Sequence, residues 1–153
     1  MEDFVNYKKP SLFLISSVCD WKCCKEANID VSICQNNSLS NRPMIDVSDK
    51  AIYEAYRTNP ITKAIVIGGL EPIIQIEEVV RLIELFRKNS CNDEFVIYTG
   101  YYPEEIPSEI ERLKYCKNVI VKFGRYIPNK SSRFDDILGV TLASDNQYAE
   151  VIS

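Results

Sequence analysis

Histidine is absent from this 153-residue chain, and this absence excludes many kinds of active site. Without histidine there is no Ser–His–Asp triad, no Cys–His nucleophile pair and no histidine-ligated zinc. The side chain most often used for acid–base catalysis near neutral pH is missing as well. The chemistry of the chain therefore has to come from its other reactive groups.

Long apolar runs are also missing. No stretch approaches the ~20 apolar residues that a membrane-spanning helix needs, and residues 1–10 lack the layout of a signal peptide. The net charge of −4 argues against a generic nucleic-acid binder and against a polybasic membrane binder. We therefore expect a cytoplasmic protein without membrane or nucleic-acid partners, in which thiols stay reduced.

The sequence contains no internal repeat, no low-complexity tract and no Gly/Ser-rich linker. Its length suits one domain with a core of its own. We therefore expect a single domain over residues 1–153.

Strands and helices alternate in the predicted fold. Short apolar runs flanked by turn residues predict buried strands, and apolar residues at helical spacing, with capping signals, predict amphipathic helices. The predicted strands are 12–15, 64–67, 94–99, 118–123 and, in the tail, 136–142. One helix is predicted to begin after Ser48, a second to span 76–88 and a third to begin at Pro107. Residues 35–47 are predicted to be a loop.

This alternation predicts an α/β fold with right-handed crossovers and a mostly parallel sheet. Sites in such folds collect at the carboxyl ends of the strands. In this chain those ends carry Ser16 to Cys19, Gly68-Gly69, Thr99-Gly100 and Lys122 to Gly124. We expect these segments to meet at one edge of the sheet.

Four of the six cysteines follow the first of these strands: Cys19, Cys23, Cys24 and Cys34. In a reducing compartment, clustered cysteines are more often metal ligands or catalytic groups than disulfides. Buried structural thiols are one alternative; four-thiolate zinc is another, although the adjacent pair and the long gap fit zinc spacing poorly. Three thiolates on a [4Fe–4S] cluster fit better, since they leave one iron open to a small molecule, whereas four would give an electron carrier.

The cysteine loop resembles that of radical S-adenosylmethionine enzymes, in which Cys-x3-Cys-x2-Cys follows the first strand. Cys19-Asp-Trp-Lys-Cys23 resembles the first pair and Cys34-Gln-Asn36 the third cysteine, with ten residues instead of two between the second and third ligands. The resemblance implies Cys19, Cys23 and Cys34 as ligands of a [4Fe–4S] cluster, with Cys24 as the alternative to Cys23. It also implies that Ile33 lies near the adenine of the cofactor; simple loop packing is the alternative.

Gly68-Gly69-Leu70-Glu71-Pro72 resembles the Gly-Gly-Glu-Pro motif of the same superfamily, with Leu70 inserted. A tight strand-to-helix turn is the alternative explanation for the glycine pair. The resemblance implies S-adenosylmethionine contacts from Gly68, Gly69, Glu71, Thr99 and Lys122. For Lys122 the implied partner is the cofactor carboxylate, and an exposed lysine at a strand end is the alternative.

Three further segments resemble the activating component of anaerobic ribonucleotide reductase: Tyr98-Thr-Gly-Tyr101, Phe123-Gly-Arg125 and the tail 139–147. This resemblance implies a partial (β/α) barrel, the incomplete TIM-like core of radical S-adenosylmethionine enzymes. It implies reductive cleavage of S-adenosylmethionine to a 5′-deoxyadenosyl radical, with no catalytic residue beyond the cluster ligands. It also implies a large glycyl-radical reductase subunit as partner and a flavodoxin or ferredoxin as electron donor.

Two other functions remain open at this point. The altered cysteine spacing and the inserted Leu70 suggest that an enzyme of the same architecture acts on a different small-molecule or macromolecular substrate. Alternatively, the chain is not an enzyme, and the loop holds a structural metal or a cluster for electron transfer or sensing.

Overall fold

A six-stranded sheet dominates the computed structural model, which describes residues 1–153. The strands are β1 Glu2–Asp3, β2 Ser11–Ile15, β3 Ala64–Gly68, β4 Glu94–Tyr98, β5 Val119–Phe123, β6 Arg133–Asp135, β7 Val140–Leu142 and β8 Tyr148–Val151. The helices are α1 Lys22–Ala27, α2 Asn37–Ser40, α3 Asp49–Thr58, α4 Ile76–Lys88 and α5 Pro107–Lys114, with short 3-10 turns at Val31–Ile33, Pro72–Gln75 and Pro103–Glu105.

The strand order in the main sheet is β1-β2-β3-β4-β5-β8. The four central strands are parallel, and the two edge strands run antiparallel to their neighbours. The predicted mixed α/β fold with a mostly parallel sheet is therefore confirmed. The sheet is open, and no barrel closes.

The three long helices form where the sequence predicts them. Ser48 caps α3 by accepting a hydrogen bond from the Ala51 amide at 3.3 Å. Helix α4 has acidic residues in its first turn and basic residues in its last, which complements the helix dipole. None of the helices is both long and apolar enough to cross a bilayer.

All three crossover helices pack on one face of the sheet. The larger core joins Tyr56 of α3, five residues of α4 and Leu113 of α5 to alternate residues of β3, β4 and β5. The opposite face carries a smaller core, in which Tyr7, Leu138 and Leu142 cover Ala149 and the other residues of the sheet. The helices therefore wind around one side of the sheet only.

Two sequence predictions on the irregular parts of the chain are wrong. The segment 35–47 is not entirely a loop, because it contains the single turn α2. The segment 136–142 does not extend the main sheet, because Asp135 accepts hydrogen bonds from the amides of Ile137 and Leu138 and turns the chain. Its β7 part pairs with β6 instead, and β8, which was not predicted, completes the main sheet.

Candidate functional site

The carboxyl ends of the parallel strands meet at one edge, as predicted. Ile15 is in register with Gly68, and Tyr98 with Lys122. Beyond the strands, the Ser16 amide and hydroxyl both donate to the Gly68 carbonyl, at 2.9 and 3.1 Å. The cysteine loop is therefore attached directly to the glycine pair.

A pocket of about 30 Å³ opens at this edge. Its lining consists of Cys19, Asp20, Lys22, Cys23, Glu71, Gly100, Tyr101 and Arg125. Two of the predicted ligands and Glu71 thus share one wall. A larger depression of about 420 Å³ lies at the other end of the strands, but it is open to solvent and no thiol lines it.

The Cys19 thiol is half-buried and receives a hydrogen bond from the chain itself. The amide of Trp21 donates to Cys19 Sγ at 3.3 Å. Burial raises the pKa of Cys19 to about 11, and the Trp21 amide partly opposes this shift. Trp21 has φ 59°, a left-handed conformation that bulky residues rarely adopt, and it caps α1. This bend brings the amide to the sulfur and starts the helix that carries the next two cysteines.

Cys23 and Cys24 occupy different environments on α1. Cys23 lines the pocket, whereas Cys24 is 2% exposed and is the one buried residue of the helix. The two sulfurs are 3.9 Å apart. Burial, and then the charge of Cys23, raises the pKa of Cys24 to about 12; Cys34 and Cys19 contribute in the same direction. All four thiols of the loop are therefore electrostatic neighbours, and which of the adjacent pair binds iron stays a prediction.

The ten residues between Cys23 and Cys34 are ordered by α1 and by the turn Val31–Ile33. Asp30 begins that turn by accepting a hydrogen bond from the Ser32 amide at 2.8 Å. Cys34 follows the turn and does not line the pocket. Ile33 is 66% exposed, so it does not pack within the loop, and its contact with an adenine stays a prediction.

Glu71 and Thr99, both predicted to contact the cofactor, are bonded to each other. One carboxylate oxygen of Glu71 accepts from the Thr99 hydroxyl at 2.8 Å and from the Ile73 amide at 3.1 Å. The other accepts from the Gly100 amide at 2.8 Å. Burial raises the pKa of Glu71. A carboxylate has about four acceptor positions, so one remains unused on this residue, which lines the pocket.

Lys122 is buried, and the alternative of an exposed strand-end lysine is wrong. Its ammonium donates to the Gly124 carbonyl at 2.7 Å and lies 5.9 Å from the centre of the Tyr98 ring. Burial lowers the pKa of Lys122 from 10.5 to about 8. Lys122 does not line the pocket, so its contact with a cofactor carboxylate stays a prediction.

The low pKa of Lys122 predicts a pH dependence of stability. Between about pH 8 and 10.5 the unfolded chain keeps a proton on Lys122 that the folded chain has lost, so this group makes the free energy of unfolding rise with pH. The rise is at most about 3 kcal/mol. We expect Lys122→Met to lack it, as measured by urea unfolding of the metal-free chain across this range. Identical pH profiles for the variant and the wild type would contradict the assignment.

Five of the pocket residues were not predicted as site residues: Asp20, Lys22, Gly100, Tyr101 and Arg125. The Tyr101 hydroxyl donates to Asp20 at 2.7 Å, and Lys22 and Arg125 both pair with Glu105. Arg125 lies in the segment Phe123-Gly-Arg125, which resembles a family motif, but the resemblance implied no role for its side chain. No local pattern could have shown these contacts, because the partners are far apart in the sequence.

The donor atoms of the pocket fit an iron–sulfur cluster. No three Cys, His, Asp or Glu side chains converge on a single point where one metal ion would sit. A cluster does not require such convergence, because each iron takes one protein thiolate and the thiolates bind different irons. Two half-buried thiols on the pocket wall, with two more beside them, are such a donor set.

Comparison with known proteins agrees with this donor chemistry. The family model described as "4Fe-4S single cluster domain" matches residues 11–147, which include all four cysteines of the loop and the whole pocket. No curated protein and no solved structure gives a significant match.

Proposed function

The chain belongs to the 4Fe-4S single cluster domain family, and on this premise we propose that it is a radical S-adenosylmethionine enzyme. It would cleave S-adenosylmethionine reductively to a 5′-deoxyadenosyl radical. Its target would be a glycine of a large anaerobic ribonucleotide reductase subunit. The observation that carries the proposal is the pocket at the carboxyl edge of the sheet, whose wall holds Cys19, Cys23 and Glu71.

In this proposal Cys19, Cys23 and Cys34 hold the cluster. When bound, the cluster supplies one electron at the low end of the roughly −700 to +450 mV range of protein iron–sulfur centres. Three thiolates leave one iron free for the amine and carboxylate of S-adenosylmethionine. The Trp21 amide, which donates to Cys19 Sγ, would favour the thiolate form of that ligand.

Glu71 and the glycine pair would orient S-adenosylmethionine beside the cluster. The remaining acceptor position of the Glu71 carboxylate suits the cofactor amine. Gly69 has φ +84°, and a Cβ there would lie 3.0 Å from Ile15 and 3.2 Å from Leu39. This position therefore has no room for a side chain, and in this proposal the backbone of the glycine pair contacts the cofactor. Lys122 would supply a positive charge for the cofactor carboxylate once it releases the Gly124 carbonyl.

The winding of the helices supports the description of the fold as a partial (β/α) barrel. A doubly wound sheet carries helices on both faces, whereas here all three crossover helices pack on one face. One-sided winding is the arrangement of a (β/α) barrel. In this proposal the open sheet is a partial barrel, an incomplete TIM-like core.

A macromolecular target suits the surroundings of the pocket. Its volume of about 30 Å³ is far below the roughly 300–1,000 Å³ of pockets that enclose small ligands, so a partner would have to cover the site. Ile15, Val18 and Ile33 are exposed apolar side chains of the strand end and the cysteine loop. They would offer apolar surface to such a partner. The proposed electron donor is a separate protein, a flavodoxin or ferredoxin.

The test is the release of 5′-deoxyadenosine. The chain is reconstituted anaerobically with iron and sulfide, reduced with dithionite and given S-adenosylmethionine. We expect stoichiometric or greater 5′-deoxyadenosine by chromatography, and a change in the electron paramagnetic resonance spectrum on adding S-adenosylmethionine. Cys19→Ala, treated in the same way, should give neither. A wild-type chain that carries a cluster but releases no 5′-deoxyadenosine would refute the proposal.

A second candidate is a non-catalytic iron–sulfur protein for electron transfer or sensing. It is favoured by the position of Cys24, whose thiol is an electrostatic neighbour of the other three and offers a fourth ligand. Four thiolates would close the cluster. In that case S-adenosylmethionine leaves the spectrum unchanged and Cys24→Ala loses the cluster as readily as Cys19→Ala does.

A further inference from the structure

Helix α1, which carries Cys23 and Cys24, is too short to be stable on its own. It has only six residues, and isolated helices of this length are not stable in water. Its N-terminal and C-terminal flanking residues, Trp21 and Asn28, are both left-handed, so the helix is not continued on either side. Cys24 is its one buried residue. Other contacts are therefore needed to fix the direction in which Cys23 points.

Those contacts come from four alternating charges, which we name the charge ring: Lys22, Glu105, Arg125 and Glu26. Lys22 pairs with Glu105. Arg125 Nη1 and Nη2 reach the two oxygens of Glu105 at 2.7 and 3.1 Å, and its Nε reaches Glu26 at 2.6 Å. Lys22 and Glu26 are four residues apart, which places them on the same face of α1. The helix itself therefore closes the ring.

The two members outside the helix are firmly held. The Arg125 side chain is 9% exposed, donates also to the Gly100 carbonyl at 3.0 Å and lies 4.7 Å from the centre of the Tyr102 ring. The Tyr102 amide donates to Glu105 at 2.8 Å. Arg125 thus joins the segment after β5, in which it lies, to the segment after β4. Its planar fork suits two carboxylates in a way that a lysine cannot reproduce.

We infer that the charge ring positions the cysteine helix α1 against the carboxyl edge of the sheet and thereby places Cys23 on the pocket wall. Arg125 is the positioning residue, because it joins both carboxylates to the strand ends. The placement of the helix does not depend on a bound cluster; its consequence for iron binding rests on the proposed function.

Alkylation of the metal-free chain tests the placement of the helix. The Cys24 thiol is protected while α1 is docked, and the Cys116 thiol, 7% exposed in the main core, reports opening of the whole fold. Glu26→Gln removes the ion pair with Arg125, and Lys22→Met removes the ion pair with Glu105. The Glu26 side chain is half exposed and the Lys22 side chain one-third exposed, so neither change should prevent folding. We expect each to raise the iodoacetamide alkylation rate of Cys24 about fivefold, by peptide mass spectrometry, with Cys116 unchanged.

Two variants serve as controls. Lys22→Arg keeps the positive charge, so Cys24 in this variant should be alkylated as slowly as in the wild type. Asp49→Asn breaks an equally short ion pair, with Arg81 at 2.6 Å, far from the loop, and should leave Cys24 protected. The inference is overturned if Cys24 stays as slow in Glu26→Gln and Lys22→Met as in the wild type. It is also overturned if Cys24 and Cys116 accelerate together.

The reconstituted chain tests the consequence for iron. In Glu26→Gln and Lys22→Met we expect the rate of iron loss to a chelator to rise about tenfold, as for other changes outside the ligands themselves. A wild-type chain that takes up no cluster would refute the proposed function, while the alkylation result would still decide the role of the charge ring. Faster Cys24 alkylation with unchanged iron loss would show that the ring docks α1 but does not position a ligand.

Discussion

Replacing Cys19, Cys23 or Cys34 by alanine is expected to lower the iron bound per reconstituted chain by about tenfold or more. Each change removes one of three thiolates, and a cluster held by two is not retained. Cys24→Ala is expected to keep the iron, because Cys24 lies behind the pocket wall that Cys23 lines. Iron and sulfide analysis, together with visible absorption, measures the effect.

Cys116→Ala provides the matched control. Cys116 is buried like Cys24 but lies in the main core, so its loss removes a thiol without touching the loop. If Cys24→Ala loses the cluster and Cys23→Ala keeps it, the assignment within the adjacent pair has to be reversed. If all four loop variants lose it, the cluster is closed by four thiolates, and the non-catalytic function is favoured.

Replacing Glu71 by alanine is expected to lower the free energy of unfolding of the metal-free chain by about 4 kcal/mol. The change leaves three donors without an acceptor: the Thr99 hydroxyl and the amides of Ile73 and Gly100. Thr99 is fully buried, so water cannot easily replace the carboxylate there. Urea unfolding at pH 5 to 6 measures the loss.

Glu77→Ala is the control for Glu71. Glu77 of α4 pairs with Arg112 of α5 and is largely exposed, and such surface pairs contribute about 1 kcal/mol or less.

Burial raises the pKa of Glu71, so the folded chain binds a proton at Glu71 more tightly than the unfolded chain does. The stability that this raised pKa contributes is therefore present at low pH, and it is lost as the pH rises through the pKa of Glu71 in the folded chain. A loss below 1 kcal/mol in Glu71→Ala would show that its hydrogen bonds do not hold the strand ends together.

Local patterns were sufficient to predict the regular part of the fold. Helix α4 has the predicted bounds, 76–88, because apolar residues at helical spacing and charges at both ends all indicate the same element. The parallel strands were predictable because strands covered on both faces have continuous apolar sequences. The tail was predicted incorrectly, because β8 is placed by pairing with β5 and not by a pattern of its own.

The candidate site was predictable in its chemistry but not in its geometry. Cys19, Cys23 and Glu71 could be named from the sequence, because the cysteine loop and the glycine motif resemble those of radical S-adenosylmethionine enzymes and follow predicted strands whose carboxyl ends must meet. The sequence could not show that Glu71 already bonds to Thr99, nor that Lys122 turns inward to the Gly124 carbonyl. Glu71 and Thr99 lie 28 residues apart in the sequence. Gly124 is only two residues from Lys122, but the burial of the Lys122 side chain results from the packing of the sheet and not from a local pattern.

The sequence by itself determined that this protein has no histidine chemistry, that four thiols follow one strand and that a parallel α/β sheet brings them to one edge. These conclusions follow from composition and from the periods of helices and strands. Only the tertiary structure decided that Cys23 lines the pocket while Cys24 is buried, and that Arg125 joins α1 to the strand ends. The reason is physical: a six-residue helix takes its orientation from charges contributed by distant parts of the chain.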